Sequence, residues 1–226
     1  AHVKWFSEHS ASTEPALWQS LFHYEFVLIG LFAATLVFAA ETISSRFGNG
    51  YVRFISQFTQ LPTRNLKNLF ASAIVVAMML INYDSGVILT PETANHSDLI
   101  GFIQISAVIL SVLPTLRSSA LAAALISLFS LSAAQYGIVY MLDYLHVLGL
   151  AGFLLFTDPH SKYQNDNKAM SVLYLLTGFS LCWLGIEKIV FPSWSYEVLA
   201  QEPALAMGFS NEFFVRGSAL VEFSFG

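Results

Sequence analysis

From residue 21 onward the chain returns repeatedly to runs of about twenty residues in which charge is almost absent. Wound as a helix at ~1.5 Å per residue, such a run matches the ~30 Å hydrocarbon core of a bilayer. We read seven of them, over 21–43, 70–89, 99–116, 118–135, 138–157, 169–191 and from 213 onward. A helix satisfies its own backbone hydrogen bonds, which lipid cannot do. The alternation of a membrane barrel is missing from the sequence. The expected fold is therefore all-α, a polytopic transmembrane helix bundle with seven or more spans.

Composition narrows the class further. Of 226 residues, 55% are hydrophobic and only 11% are charged. A soluble domain carries roughly 25% charged residues, so too little charge is present to clothe a water-facing surface. Ten basic against fifteen acidic residues give a net charge of -5, the wrong sign for nucleic acid. Cys182 stands alone and cannot form an internal disulfide. The expected partners are the lipid bilayer and other membrane subunits.

The ends and connections carry their own expectations. The opening Ala1, His2, Val3, Lys4 lacks a Met and predicts a cleaved signal peptide. Residues 1–20 then form an outer N-terminal segment, and 21–226 the transmembrane domain. The stretch from Phe213 is shorter than a span and predicts a truncated last helix. Pro91, Pro114, Pro159 and Pro192 fall near segment ends, where a helix stops cheaply. Residues 47–69 mix Tyr51, Phe54 and Phe58 with Arg53 and Arg64. They read as an amphipathic helix lying in the interface, with an ordered loop as the alternative. Arg46, Arg53, Arg64, Lys67, Arg117, Lys162 and Lys168 gather on one side, against Lys4, Lys188 and Arg216 on the other. The basic excess makes the first side cytoplasmic and puts the N-terminus outside. A bacterial inner (plasma) membrane is the expected location.

Ionisable side chains inside spans are costly and usually face protein or water. The candidates are His23 and Glu25, Asp84, Asp143 and His146, Glu187 and Lys188, and Arg216 and Glu222. Nearly all fall in the expected outer half. Asp143 and His146 are three apart and share a helix face. They serve either as packing hydrogen bonds, as a proton or quinone site, or as metal ligands. His23 joins them in the metal and cofactor readings, with copper suited by imidazole and haem held between His23 and His146. Glu187 and Arg216 can form a structural ion pair while Lys188 snorkels outward. Glu222 lies deeper and stays neutral unless a cation accompanies it, which makes it a candidate proton-linked group. Phosphate loops, CxxC, HExxH and nucleophile-elbow patterns are missing from the sequence.

The run from Thr177, Gly178 and Phe179 to Gly185, Ile186, Glu187, Lys188, Ile189, Val190, Phe191 and Pro192 resembles a helix of DoxX-like membrane proteins. Val221 and Glu222 through Gly226 are similar to the next helix of that family, which carries a Glu followed by small residues. The resemblance covers about 170–226 and picks out Lys188, Pro192 and Glu222. It implies a link to quinone-coupled sulfur oxidation or redox homeostasis. Three functions stay open at this point. The chain is a redox-linked membrane protein associated with a quinone, a metal or haem; a non-catalytic subunit of a larger membrane complex; or a transporter for a small solute or metal ion.

Overall fold

A computed structural model of the chain describes residues 64–94 and 97–225, together with Leu31, Thr35, Phe38, Ala39 and Thr42. Those five positions of the expected first span are helical, and the Thr35 and Thr42 hydroxyls each donate to the carbonyl four residues back at 2.7 Å. His23, Glu25, the N-terminal segment and residues 47–63 lie outside the described residues.

Seven helices are bounded among the described residues: α1 Arg64–Asp84, α2 Asp98–Leu110, α3 Arg117–Tyr136, α4 Leu145–Thr157, α5 Asp166–Val190, α6 Pro192–Gln201 and α7 Asn211–Phe225. Short 3-10 turns precede α4 at Leu142–Tyr144 and follow α6 at Pro203–Ala206. Among the described residues the only β pairing is an isolated bridge between Val87 and Ala94. The chain divides into two compact units, Gln60–Ser180 and Ala1–Thr59 with Leu181–Gly226. Helix α5 contributes its 166–180 stretch to the first and its remainder to the second.

Three described helices, α1 from Asn65, α3 and α5, are long and apolar enough to cross a membrane. Their exposed faces fit that solvent. On α1, Asn68, Ala71, Ser72, Val75, Met79 and Asn82 form a buried stripe at helical spacing. The opposite side shows Phe70 at 68% and Ile81 at 64% exposure, where a helix in water would be polar. The expected spans at 99–116 and 138–157 are corrected to 13-residue helices, α2 and α4. Each measures about 20 Å, short of a full crossing. Helix α2 ends at Ser111, three residues before Pro114. Helix α3 ends because Gly137 adopts φ 92, a conformation open to glycine. The chain then turns through 138–144 before α4 begins. The expected interfacial stretch also loses its last residues, 64–69, to the first turns of α1.

Within the 60–180 unit, α1, α2, α3 and α4 pack around Val75, Met79, Leu121, Leu125, Leu128, Met141 and Leu154. Two small residues bring α5 close to α4. A Cβ on Gly152 would lie 2.7 Å from Val172 Cγ1, and one on Gly149 would lie 3.2 Å from Leu176 Cβ. Small residues let helices approach in a lipid setting, where hydrophobicity alone does not drive them together. One end of the unit is tied by Asn68. Its Nδ2 donates to Leu154 O at 3.2 Å and Thr157 Oγ1 at 2.9 Å, and its Oδ1 accepts from Ser118 Oγ at 3.1 Å. One amide thus joins the starts of α1 and α3 to the end of α4.

In the 181–226 unit, α5 and α7 cross at Gly185, where a Cβ would stand 2.7 Å from the Ala219 carbonyl oxygen. Helix α6 starts at Pro192, whose missing N–H costs nothing in a first turn. The Phe191 and Trp194 rings stack across that turn at 4.8 Å. Leu199, Ala206 and Val215 close a small core with Phe214.

Replacing Asn68 by Leu should strand the buried Ser118 hydroxyl and destabilise the bundle by about 1–3 kcal/mol. Unfolding of the detergent-solubilised protein measures this, with the lipid-type surface change Leu69→Ala expected to shift it far less.

Candidate functional site

The far end of the 60–180 unit is closed by a loop rather than by a helix. Residues 85–94 join α1 to α2, and Gly86 at φ 67 makes the first turn. The run Val87, Ile88, Leu89 reads as helix in the sequence, yet it folds inward as loop, with Ile88 and Leu89 buried. An inward loop must find partners for its backbone, and it does. Thr93 Oγ1 accepts from the Leu89 and Thr90 amides at 3.1 and 3.0 Å, and Ile88 N donates to Thr93 O at 2.7 Å. Asn82 Nδ2 donates to Leu89 O at 2.9 Å. Gln104 Nε2 donates to Val87 O and Ile88 O at 2.9 and 3.0 Å.

This loop carries Glu92 to the start of α4. There the Tyr144 hydroxyl donates to Glu92 Oε1. From the end of α3, Tyr136 Oη donates to Ala94 O at 3.3 Å, and its ring stacks on Tyr140 at 5.9 Å. Asp143, next to Tyr144, is completely buried. His146, in the first turn of α4, has Nδ1 3.2 Å from the Asp143 backbone carbonyl and its backbone N–H donates to Ser180 Oγ at 2.9 Å. With the proton on Nδ1 and given to that carbonyl, Nε2 becomes the acceptor. The His146 and Tyr144 rings lie 6.1 Å apart. Four groups able to hold a proton thus gather at one end of the unit: Glu92, Asp143, Tyr144 and His146.

Sequence reasoning placed Asp143 and His146 together on one helix face. The structure puts Asp143 in the 3-10 turn before α4, and its contact with the His146 ring nitrogen runs through its main chain. Glu92 and Tyr144 were not among the candidates. The signal for both was weak: a tyrosine has no charge to attract notice, and a loop carboxylate is ordinarily solvated.

A second polar group lies within the 181–226 unit. Lys188, 5% exposed, pairs with Glu222 across the α5–α7 crossing. The sequence had Lys188 snorkelling outward, and the structure corrects this. The crossing at Gly185 leaves α7 close enough for Glu222 to meet the ammonium, so the pair satisfies both charges inside. Trp183 Nε1 donates to Glu187 Oε1 at 2.8 Å, one turn back along α5. Arg216, expected to meet Glu187, pairs with Glu212 of its own helix at 2.5 Å on an exposed face. Cys182 Sγ lies 3.8 Å from Phe223 O.

Among the described residues no three His, Cys, Asp or Glu side chains gather closely enough to hold a metal ion. A haem held by two histidines is not matched there either, since His146 and His160 stand on either side of α4 and His23 lies outside the described residues. The copper and haem readings both depend on His23, which lies outside the described residues. Compared with family models, curated proteins and solved structures, the chain matches none.

Lys188→Met alone should leave the Glu222 carboxyl without its partner, at a cost of about 3–5 kcal/mol. The double change Lys188→Met with Glu222→Leu should recover most of that loss, as thermal unfolding of the two variants in one detergent would show.

Proposed function

We propose that the chain is a redox-linked integral membrane protein of DoxX-like type that handles protons beside a quinone. Its site is the end of the 60–180 unit where Glu92, Asp143, Tyr144 and His146 meet. The observation that carries this reading is Asp143, whose 0% exposure sets a carboxyl group in an apolar bundle beside a histidine and a tyrosine–carboxylate pair. Groups of this kind concentrate at functional sites because their environment tunes their proton affinity. The remaining expected spans complete a bundle of seven or more helices in the plasma membrane, with the N-terminus outside.

Charge supports that orientation. At the Asn68 end of the unit stand Lys67, Arg117, Lys162 and Lys168, with Asp158 and Asp166. At the loop end stand Asp84, Glu92, Asp98 and Asp143, with no Lys or Arg among the described residues. The basic end faces the cytoplasm under the positive-inside rule, which sets the proton-holding end outside. Lys188 and Glu222, the positions carried by the DoxX resemblance, meet in one ion pair.

A quinone supplies two-electron, two-proton redox chemistry when bound. The side chains here have the matching duties. His146 Nε2 accepts a proton while Nδ1 stays on the Asp143 carbonyl. Tyr144 donates toward Glu92, a carboxylate on the loop that leads to the outer solvent.

In vesicles supplied with a short-chain quinol and ferricyanide as electron acceptor, His146→Ala and Asp143→Asn should each lower proton-linked turnover about 100-fold or more. Unchanged rates in both variants, with normal folding, would sink the reading. Activity seen only after co-purification with another protein would favour the subunit alternative instead.

A further inference from the structure

Beneath the 85–94 loop, two oxygens lack the hydrogen bonds that buried polar atoms normally have. Gln104 is 0% exposed, and its side-chain hydrogen bonds to Val87 O and Ile88 O come from Nε2. Its Oε1 has no hydrogen-bond partner among the described residues. Ser132, also 0% exposed, has an Oγ with no partner. That is unusual for this chain. Ser111, Ser119, Ser130, Ser218 and Ser224 all donate to a carbonyl three or four residues back. Ser132 declines that local bond and keeps its hydroxyl inside.

The two orphaned oxygens lie at similar depth toward the loop end of the unit. Helices α2 and α3 pack together. Gln104 lies six residues into α2 from the loop end, and Ser132 lies four residues before the end of α3. At ~1.5 Å per residue both are within about 10 Å of that end. Both helices also reach the same loop: Gln104 through Val87 and Ile88, and α3 through Tyr136 to Ala94.

The donor and acceptor inventory defines the guest. An amide oxygen only accepts, so the guest must donate a hydrogen. A serine hydroxyl donates or accepts, so the guest can also accept one. We propose that a buried water molecule bridges Gln104 Oε1 and Ser132 Oγ beneath the loop. Internal waters occupy such polar positions and make two to four bonds there. Its role rests on the proton-handling reading: it extends the hydrogen-bonding end of the bundle inward, one layer below Tyr144 and Asp143.

The test needs no quinone, so its outcome is independent of that reading. Without a water, Ser132→Ala removes an unsatisfied hydroxyl and leaves stability unchanged or raised. With a water, the same change deletes one of its anchors, and the melting temperature should fall by about 2–4 °C. Infrared difference spectra of the protein in H2-16O and H2-18O should show an isotope-shifted band of a confined water in the parent chain and lose it in Ser132→Ala. A lowered melting temperature together with loss of the band supports the site. An unchanged or raised melting temperature, or a band that is absent or that survives the substitution, overturns it.

Discussion

Helices surrounded by lipid gain little from hiding apolar side chains, because the lipid is as apolar as they are. What selects one arrangement from many is the handful of polar groups that must be satisfied internally. In the 60–180 unit these groups sit at the two ends. Asn68 ties α1, α3 and α4 at one end, and the 85–94 loop is fastened to α1, α2, α3 and the start of α4 at the other. Between the two knots the interior is filled by Val75, Met79, Leu125 and Leu128. A slip of one helix by a turn would break polar bonds at both ends at once, while the apolar middle would scarcely register it.

This explains why the loop can be ordered although it is not helical. Irregular backbone is tolerated at membrane depth only where protein covers it. Thr93, Asn82 and Gln104 supply the covering partners that a helix would have supplied to itself. Two short helices follow from the same economy. Because the loop and the 138–144 turn fill the end of the bundle, α2 and α4 need not run its full length.

Legibility in the sequence follows the strength of the boundary signals. Helix α3 was expected over 118–135 and found at Arg117–Tyr136, because Pro114 and Arg117 mark one end and Gly137 the other. The second segment was carried on to Leu89, because hydropathy cannot distinguish a buried loop from a buried helix. The turn at Ser85 and Gly86 was the only warning. The fifth segment was drawn seven residues too early for a similar reason: Ile138, Val139 and Tyr140 are apolar, yet they form a turn. Scanning the spans for charge found Asp143, His146, Lys188 and Glu222. It passed over Asn68, Gln104 and Tyr144, because uncharged amides and phenols carry no electrostatic penalty large enough to mark them. Pairing was harder still. That Lys188 meets Glu222 depends on the close α5–α7 crossing at Gly185, and one glycine in a span does not announce its neighbour.

Two acidic side chains inside the helical units illustrate different solutions to one problem. Glu222 faces an ammonium across a helix crossing, so its charge is neutralised by a fixed partner. Such a pair resists change, because moving either charge leaves the other stranded. Asp143 lies instead within a turn rather than a regular helix, next to Tyr144 and with its backbone carbonyl 3.2 Å from the His146 imidazole. The fixed pair suits holding two helices in place, and the cluster of proton-holding groups suits chemistry. That difference, more than burial alone, is why the proton-handling site is assigned to the Asp143 end.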